Sequence, residues 1–336
     1  MLELKTIKKI DKFEMIKVYE KWPEIAKKAF YSDYKILQIQ NVNHIVFAGM
    51  GGSGTIGDIF SSILSKTNIH VSVIKGYLLP RTIDEKTLII VTSVSGNTTE
   101  TLRVLENSKE SKAKVITFAS GGKCEEFCRN NDLEFYHIDK IHSPRASLVP
   151  FLFSMLKILQ SIIPLKIEDV TETINELEKL KNEISSNNLT NTNPALELAK
   201  WISEIPIIYY PHGLQAPAIR FKNSLQENAK MHAIAEDVVE ASHNGIVAWE
   251  KPSVVKPILI EGKDDYEKTK ERWSILKEYF DSKNIEYKEV LVKSNSILSK
   301  VVYLIYLLDF VAIYRAIFSE IDPTPVESID FIKKRL

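Results

Sequence analysis

Short apolar runs alternate with amphipathic stretches along the first half of the chain. Between residue 44 and about residue 160 the apolar runs are HIVFAGM, IHVSVIK, LIIVTSV, KVITFAS and EFYHI, and segments with helical spacing follow most of them. Alternation of strand and helix is typical of a parallel sheet that is covered by helices on both faces. The pattern therefore predicts an α/β fold built on a parallel sheet.

The second half of the chain repeats this alternation after a polar interval. Residues 165–193 are polar and charged and end in SSNNLTNTN, with Pro194 next, which predicts a helix followed by a loop. The predicted order thereafter is helix (ALELAKWISE), strand (IPIIYYPHG), helix (215–231), strand (PILIEG), charged helix, strand (YKEVLVK) and long helix (297–318). We therefore predict two domains, 1–164 with a leading helical segment and 165–336 with a C-terminal helix. Two such domains would place a ligand site at the carboxyl ends of the strands, between domains or subunits.

Two loops of small residues stand where a predicted strand gives way to a helix. They are GMGGSGTIG at 49–57 and SVSGNTTET at 93–101, and the second contains the hydroxyls of Ser93, Ser95, Thr98 and Thr99. A helix start offers unpaired N–H groups and the positive end of the helix dipole, which together bind anions. Neither loop carries a cationic side chain, so the pattern favours the phosphate of a small ligand over a polymer. Tight turns that bind no ligand are the alternative.

The first loop also has the spacing of a dinucleotide-binding loop, with Gly49, Gly51 and Gly54 as G-x-G-x-x-G. That fingerprint needs an acidic residue about 20 positions further on, at the end of the second strand, to bind the ribose. No acidic residue lies between Asp58 and Asp84. A nicotinamide dehydrogenase is therefore not favoured.

Charge and composition point to a small-molecule partner. Forty-four basic residues balance 44 acidic ones, so neither nucleic acid nor a membrane surface is an expected partner. The N-terminus mixes charges and lacks the apolar centre of a signal peptide, which predicts a cytoplasmic protein. Two apolar stretches, 148–163 and 297–318, contain charged residues and are predicted to be buried core helices, not membrane spans.

The two cysteines, Cys124 and Cys128, lie four residues apart in a predicted helix with no nearby histidine. They are predicted to be inert thiols, with a zinc site as the alternative. Two cysteines form no disulfide framework, which agrees with a reducing compartment. No metal is expected.

A polar segment at 220–250 contains candidate catalytic side chains. Arg220, Asn223, Glu227 and Lys230 would share one face of the predicted helix over 215–231. Such a stripe is often only a solvated surface, but this helix follows a glycine turn at a strand end, where sites of this fold class lie. Further on, His243 lies in SHNGI, a predicted loop, where a histidine is often incidental.

Further cationic side chains that could bind an anion lie outside this segment. Arg145 lies in SPRAS, after the fifth predicted strand, where its guanidinium could meet an anion. Near the C-terminus, DPTPVESIDFIKKRL predicts a short amphipathic helix that contains Lys333 and Lys334. Lysines at a chain end are commonly solvent-exposed.

These segments together resemble a known family. GMGGSG, SVSGNTTET, SPRA, the R-x-K-x-x-x-x-E-N-x-K helix and SHN, in this order, resemble the archaeal-type bifunctional phosphoglucose/phosphomannose isomerases, which consist of two SIS (sugar isomerase) domains. The resemblance extends from about residue 44 to the end of the chain. It implies two SIS-type, Rossmann-like domains. It also implies a sugar-phosphate site in which the phosphate-binding residues are Gly52, Ser53, Ser93, Ser95 and Thr98.

The resemblance implies catalytic roles as well. Arg145 would stabilise the enediolate, Glu227 would be the base, and His243 would assist ring opening from the neighbouring subunit of a homodimer. The family's C-terminal lysine falls on Lys333, while Thr324 lies too far from it to be included. The implied activity is the interconversion of glucose 6-phosphate and mannose 6-phosphate with fructose 6-phosphate through a cis-enediol, with no cofactor.

Two other functions occur on SIS domains. A non-catalytic sugar-phosphate regulator is the first alternative, but the 43 residues before the first strand lack a basic helix-turn-helix pattern. A regulator would also have no need of the segments around Glu227 and His243. An amidotransferase-type synthase is less favoured, because the chain has no nucleophilic cysteine near its start.

Overall fold

The computed structural model describes residues 2–335 and divides into two compact units. The N-unit consists of residues 21–170 and the residues from 328 onwards, and the C-unit consists of the residues up to 20 and of 171–327. Each unit is discontinuous in sequence, whereas the sequence analysis predicts a single cut between residues 164 and 165. That boundary stays a prediction.

The described residues form fourteen α-helices, a 3-10 helix and nine strands. The strands are β1 (His44–Ala48), β2 (His70–Ile74), β3 (Thr87–Ser93), β4 (Lys114–Ala119), β5 (Glu134–His137), β6 (Pro206–Tyr210), β7 (Ile234–Asp237), β8 (Lys256–Gly262) and β9 (Lys288–Val292). The first seven helices are α1 (Leu4–Ile10), α2 (Met15–Glu20), α3 (Trp22–Phe30), α4 (Gly52–Leu64), α5 (Thr99–Ser108), α6 (Gly122–Asn130) and α7 (Leu148–Ile158). The remaining helices are α8 (Ile167–Ile184), α9 (Pro194–Trp201), α10 (Gln215–Asn228), α11 (Val238–Ala241), the 3-10 helix (Gly245–Glu250), α12 (Glu267–Ser282), α13 (Ile297–Phe318) and α14 (Glu327–Lys333).

The N-unit contains a five-stranded sheet in the order β2-β1-β3-β4-β5, in which every neighbouring pair is parallel. Successive side chains of a strand point to opposite faces, so both faces need a cover. On one face Val46 packs with residues of α5 and α6, and on the other Phe47 stacks on Phe60 of α4 with ring centroids 4.9 Å apart. The predicted parallel sheet with helices on both faces is confirmed.

The two cysteines belong to the core of this unit. Cys124 and Cys128 lie on α6, are fully buried and form no disulfide. Burial raises the pKa of the Cys124 thiol to about 12, so the thiolate that metals and oxidants require is scarce near neutral pH. Within residues 2–335, no group of three or more histidine, cysteine, aspartate or glutamate side chains is placed to hold a metal ion.

The C-unit contains a four-stranded parallel sheet in the order β7-β6-β8-β9. The sequence predicts three of these strands and misses β7, a short edge strand whose residues range from partly buried to exposed. The helix predicted over 215–231 ends earlier, since α10 stops at Asn228 and Lys230 has a left-handed backbone (φ 55°). Lys230 therefore does not lie on the helix with Arg220 and Glu227, which corrects the predicted four-residue face.

The long apolar stretch of the C-unit forms α13. By length and composition this helix alone, among the described residues, could cross a membrane. However, 83% of its most apolar window is buried inside the protein, and its Asp309 is fully buried and binds Arg220 of α10. α13 is therefore a core helix of the C-unit, as the charged residues in the stretch predict.

Candidate active site

The first glycine loop joins β1 to α4. Its Gly51 is the N-cap residue of α4 and has a left-handed backbone (φ 54°), a conformation that glycine adopts without strain. A side chain on Gly49 would lie 2.9 Å from Cβ of Ser53 and 3.0 Å from the carbonyl oxygen of Thr92. The loop therefore lies directly against the end of β3.

Side-chain hydroxyls connect the two predicted phosphate loops. The buried Ser53 accepts the N–H of Val94 at 3.4 Å, which joins the start of α4 to the second loop. Within the second loop, the hydroxyls of Ser93 and Thr98 lie 3.0 Å apart, and the Ser93 hydroxyl accepts the N–H of Gly96 at 3.1 Å. Thr98 is the N-cap residue of α5, but its hydroxyl contacts Ser93 instead of the first-turn amides. Those amides therefore remain available for a ligand or water.

Ser95 lies at the exposed rim of the second loop, and its hydroxyl accepts the N–H of Asn97 at 3.3 Å. Below it, Gly96 has φ 66°, and a Cβ there would lie only 1.7 Å from the carbonyl oxygen of Gly121. The carbonyl of Gly96 also accepts the N–H of Cys124 at 2.9 Å. The second loop thus rests on the loop after β4, a support that the sequence analysis missed although GG follows that strand as well.

We expect Gly96→Ala to lower the free energy of unfolding by more than about 2 kcal/mol, because the new methyl group combines left-handed strain with a backbone clash. Urea unfolding followed by circular dichroism would measure the loss. Gly76→Ala is the matched control, since no atom lies within 4 Å of a Cβ built at Gly76. Equal stability of the two variants would show that Gly96 does not need its close approach to Gly121.

The backbone of Pro144 and Arg145 lies against Gly52, at the start of α4. A Cβ on Gly52 would lie 3.3 Å from the carbonyl oxygen of Pro144 and 3.5 Å from Cα of Arg145. The Arg145 side chain is buried, with 5% of its surface exposed. The structure therefore brings Gly52, Ser53, Ser93, Thr98 and Arg145 into one region of the N-unit, with Ser95 at its rim.

Two neighbouring side chains fix the backbone around Arg145. The fully buried Ser147 hydroxyl lies 2.8 Å from the carbonyl oxygen of Ile141 and accepts the N–H of the same residue at 3.0 Å. The indole N–H of Trp22, on α3, donates to the carbonyl oxygen of Ala146 at 3.2 Å. Sequence reasoning missed Trp22, because 124 residues separate the two partners.

The candidate base, Glu227, lies in the C-unit. α10 begins after a turn at Gly213 (φ 94°) at the carboxyl end of β6, and Glu227 lies in the last turn of this helix, half-buried. Twelve residues of helix separate Gln215 from Glu227, so the two lie about 18 Å apart along the axis. Glu227 is therefore at the end of α10 remote from the glycine turn, and the strand-end argument of the sequence analysis does not explain its position.

Lys230 anchors this end of α10. Its Nζ donates to the carbonyl oxygens of Glu227 at 2.5 Å and of Pro325 at 2.6 Å. The lysine thereby attaches the Glu227 turn to the segment that precedes α14.

His243 lies in an exposed turn between α11 and the 3-10 helix, and its backbone N–H donates to the carbonyl oxygen of Glu240 at 2.9 Å. The predicted loop is confirmed. β7 runs parallel to β6, so α10 must return the chain from the carboxyl end of β6 to the amino end of β7. Glu227, in the last turn of α10, therefore lies near the amino ends of the strands, whereas His243 follows the carboxyl end of β7. Within one chain, the two candidate residues thus lie at opposite ends of the strands of this sheet.

Lys333 is the last residue of α14 and is exposed, as are Phe331 and Ile332 beside it. The Lys333 side chain makes no hydrogen bond or ion pair with the described part of the chain, and none of the residues of α14 is buried. Its role in a site stays a prediction.

Comparison with known proteins agrees with this architecture. A family model described as a bacterial phospho-glucose isomerase C-terminal SIS domain matches residues 191–336, and one described as a SIS domain matches residues 38–162. The chain is 31% identical over 329 residues to a bifunctional phosphoglucose/phosphomannose isomerase of Caldicellulosiruptor bescii. This match covers 94% of this chain and 96% of that protein. It is also 31% identical over 322 residues to the protein of the same name in Aquifex aeolicus, with 94% of each chain covered.

Among solved structures, the chain is similar to the C-terminal domain of a glucosamine-fructose-6-phosphate aminotransferase from Francisella tularensis, with a TM-score of 0.70. The match covers 93% of this chain and 98% of that one at 16% sequence identity. At such low identity the likeness concerns the fold alone.

Proposed function

Because this chain belongs to the family of bifunctional phosphoglucose/phosphomannose isomerases, we propose that it interconverts glucose 6-phosphate and mannose 6-phosphate with fructose 6-phosphate. The observation that carries the proposal is that two helix starts without a side-chain cap lie close to each other and to the buried Arg145 in the N-unit. Backbone amides and hydroxyls would bind the phosphate of the sugar, and the guanidinium would face the reacting carbons.

The phosphate part of this proposal has a direct test at the loop rim. Ser95→Asp should raise KM at least about tenfold, because a carboxylate at the site would repel the phosphate and replace a hydrogen-bonding hydroxyl. Ser95 suits the test better than Ser53, which is buried and accepts a backbone N–H, so that an aspartate there would also disturb the fold. Ser253→Asp, on the exposed surface of the C-unit, controls for the added charge. An unchanged KM in Ser95→Asp would remove Ser95 from the phosphate site.

The proposed chemistry needs one carboxylate. Glu227 takes the proton from C2 of the open-chain aldose and returns it to C1, acting first as base and then as acid. Between these two steps the hydroxyl proton of O2 passes to O1, so that C2 becomes the carbonyl carbon. Negative charge grows on the two oxygens of the enediol in between, and the buried Arg145 stabilises that charge electrostatically. No cofactor or metal takes part in this scheme.

Ring opening must precede the proton transfer. One group removes the proton of the anomeric hydroxyl while another supplies a proton to the ring oxygen. His243 and Lys333 take these two roles, since a histidine exchanges protons near neutral pH and a lysine ammonium can donate one. Rotation about the bond between C2 and C3 of the open chain would then let one site accept both aldoses, which differ only at C2.

We further propose a homodimer with shared active sites. Glu227 and His243 lie at opposite ends of the strands of the C-unit sheet, so a single chain does not bring both residues to one substrate. This arrangement supports a shared site. In a two-fold dimer, each site takes Glu227 from one chain and His243 from its partner. We also propose that the enzyme is cytoplasmic.

A coupled assay for fructose 6-phosphate separates this function from its alternative. Glucose 6-phosphate and mannose 6-phosphate should each be converted, equally well with and without EDTA. A sugar-phosphate regulator would bind both sugars in calorimetry without turning either over, and that result would replace the isomerase proposal.

A further inference from the structure

A buried ion pair joins α10, the helix that carries Glu227, to the core helix α13. Nε and Nη2 of Arg220 donate to the same oxygen, Oδ2 of Asp309, at 3.0 and 2.6 Å. The hydroxyl of Ser224 donates to the other oxygen, Oδ1, at 2.6 Å. Arg220 and Ser224 are each 3% exposed and Asp309 is fully buried. One carboxylate therefore binds α10 at two successive turns.

The N-terminal helix α2 closes this cluster. Nη2 of Arg220 also donates to the hydroxyl of Tyr19 at 3.4 Å, and the hydroxyl of Tyr306 donates to the carbonyl oxygen of Tyr19 at 3.0 Å. Tyr19 is fully buried and packs edge-to-face against Phe310, with ring centroids 6.3 Å apart. These contacts confine the guanidinium to one position.

Stability alone does not account for such a pair. Burial by itself would lower the pKa of Arg220, but the charge of Asp309 raises it, so the guanidinium stays charged in the core. Removing two charges from water costs about as much as their attraction returns, and apolar residues of similar volume often do as well or better. The best-attested use of a buried polar pair is to fix the register of packed helices.

The register of α10 determines where Glu227 lies. Seven residues separate Arg220 from Glu227, which places both on nearly the same face of the helix, about 10 Å apart along its axis. A slip of one turn along α13 would move Glu227 by about 5 Å, and a displacement of about 1 Å can cost a hundredfold in rate.

We propose that Arg220, Asp309 and Ser224 are positioning residues that hold the carboxylate of Glu227 in place for proton transfer. The inference rests on the proposed function, in which Glu227 is the base. The three residues do not touch the substrate and act through α10 alone. In the sequence, Arg220 belongs to a polar helix face, and such faces are commonly exposed to solvent. The structure shows instead that Arg220 is buried.

The test replaces the whole pair. Arg220→Met combined with Asp309→Leu keeps the volume apolar and leaves no unpaired charge, so the protein should unfold at a temperature close to the wild-type value. We expect kcat to fall at least about tenfold while KM stays within about twofold, because substrate binding does not depend on Glu227. Lys300→Met with Asp264→Leu is the matched control, since it removes another ion pair of α13 without touching α10.

A second measurement separates positioning from general damage. In a Glu227→Gln background, replacing the pair should cause no further loss of the residual activity, because no base remains to be positioned. Losses that multiply in this background, or a folded double variant with wild-type kcat, would overturn the proposal. If Glu227→Gln itself kept wild-type turnover, the proposed base would be wrong, which is a separate outcome.

A milder variant covers the case in which the double variant does not fold. Ser224→Ala removes one of the two attachments of Asp309 and leaves the ion pair intact. We expect a several-fold loss of kcat with unchanged KM, and no loss in the Glu227→Gln background. A wild-type kcat in folded Ser224→Ala would contradict the role of Ser224 and of the two-turn attachment.

Discussion

Glu227→Gln should lower kcat by about a hundredfold or more, because the amide keeps the shape of the carboxylate but cannot accept the substrate proton. Both glucose 6-phosphate and mannose 6-phosphate should be affected alike, since in the proposed mechanism the same carboxylate moves the proton in each reaction. The coupled assay for fructose 6-phosphate measures both rates. Circular dichroism should show an unchanged fold, because Glu227 is only half-buried.

Two controls make this result specific. Glu267→Gln removes an exposed carboxylate from the first turn of α12 and should leave both rates unchanged. Binding of a non-reacting sugar phosphate to Glu227→Gln, measured by calorimetry, should match the wild type, because the loops proposed to bind the phosphate lie in the N-unit and are intact. Near-normal turnover of either sugar by Glu227→Gln would require a different base.

The sequence predicts the sheets well where their strands are buried. β1 and β3 are buried at every position, and such strands form continuous apolar runs that stand out in the chain. β7 lies at a sheet edge, is only four residues long and contains Glu236 and Asp237, so it produces no apolar run. Its pairing with β6 depends on tertiary contacts that a local pattern does not contain.

The candidate site also contains some features that the sequence predicts and others that it does not. The two predicted phosphate loops are local features, and their glycine and hydroxyl patterns predict strand ends that the structure confirms. The approach of Arg145 to Gly52 and the hydrogen bond from Trp22 to Ala146 join residues that lie far apart in sequence. No spacing rule predicts such contacts, because they depend on how the helices pack on the sheet.

The helix of Glu227 shows both the value and the limit of periodicity. The spacing places Arg220 and Glu227 on one face, but it does not show that Arg220 is buried against Asp309, 89 residues away. The spacing also predicts a helix that is too long, because α10 ends at Asn228 and Lys230, beyond that end, has a left-handed backbone although it is not a glycine. A Gly or Pro would have marked that end in the sequence.

Mixing two inactive variants tests whether the active sites are shared between subunits. Glu227→Gln and His243→Ala should each be nearly inactive alone. If each site takes Glu227 from one chain and His243 from the other, a mixed dimer has one site with both substitutions and one site with neither. Random exchange makes about half of the dimers mixed, so activity should rise to about a quarter of the wild-type value.

Native mass spectrometry of the mixture, with one variant isotopically labelled, would show that subunits have exchanged. Mixing Glu227→Gln with Glu227→Gln that carries the label is the control, and it should stay inactive. The topology of the C-unit predicts recovery, since Glu227 lies near the amino edge of the sheet and His243 follows the carboxyl end of β7. A mixture that exchanged completely and stayed inactive would mean that both residues serve one site from a single chain. The segment between α10 and the 3-10 helix would then have to bring His243 to the same substrate as Glu227.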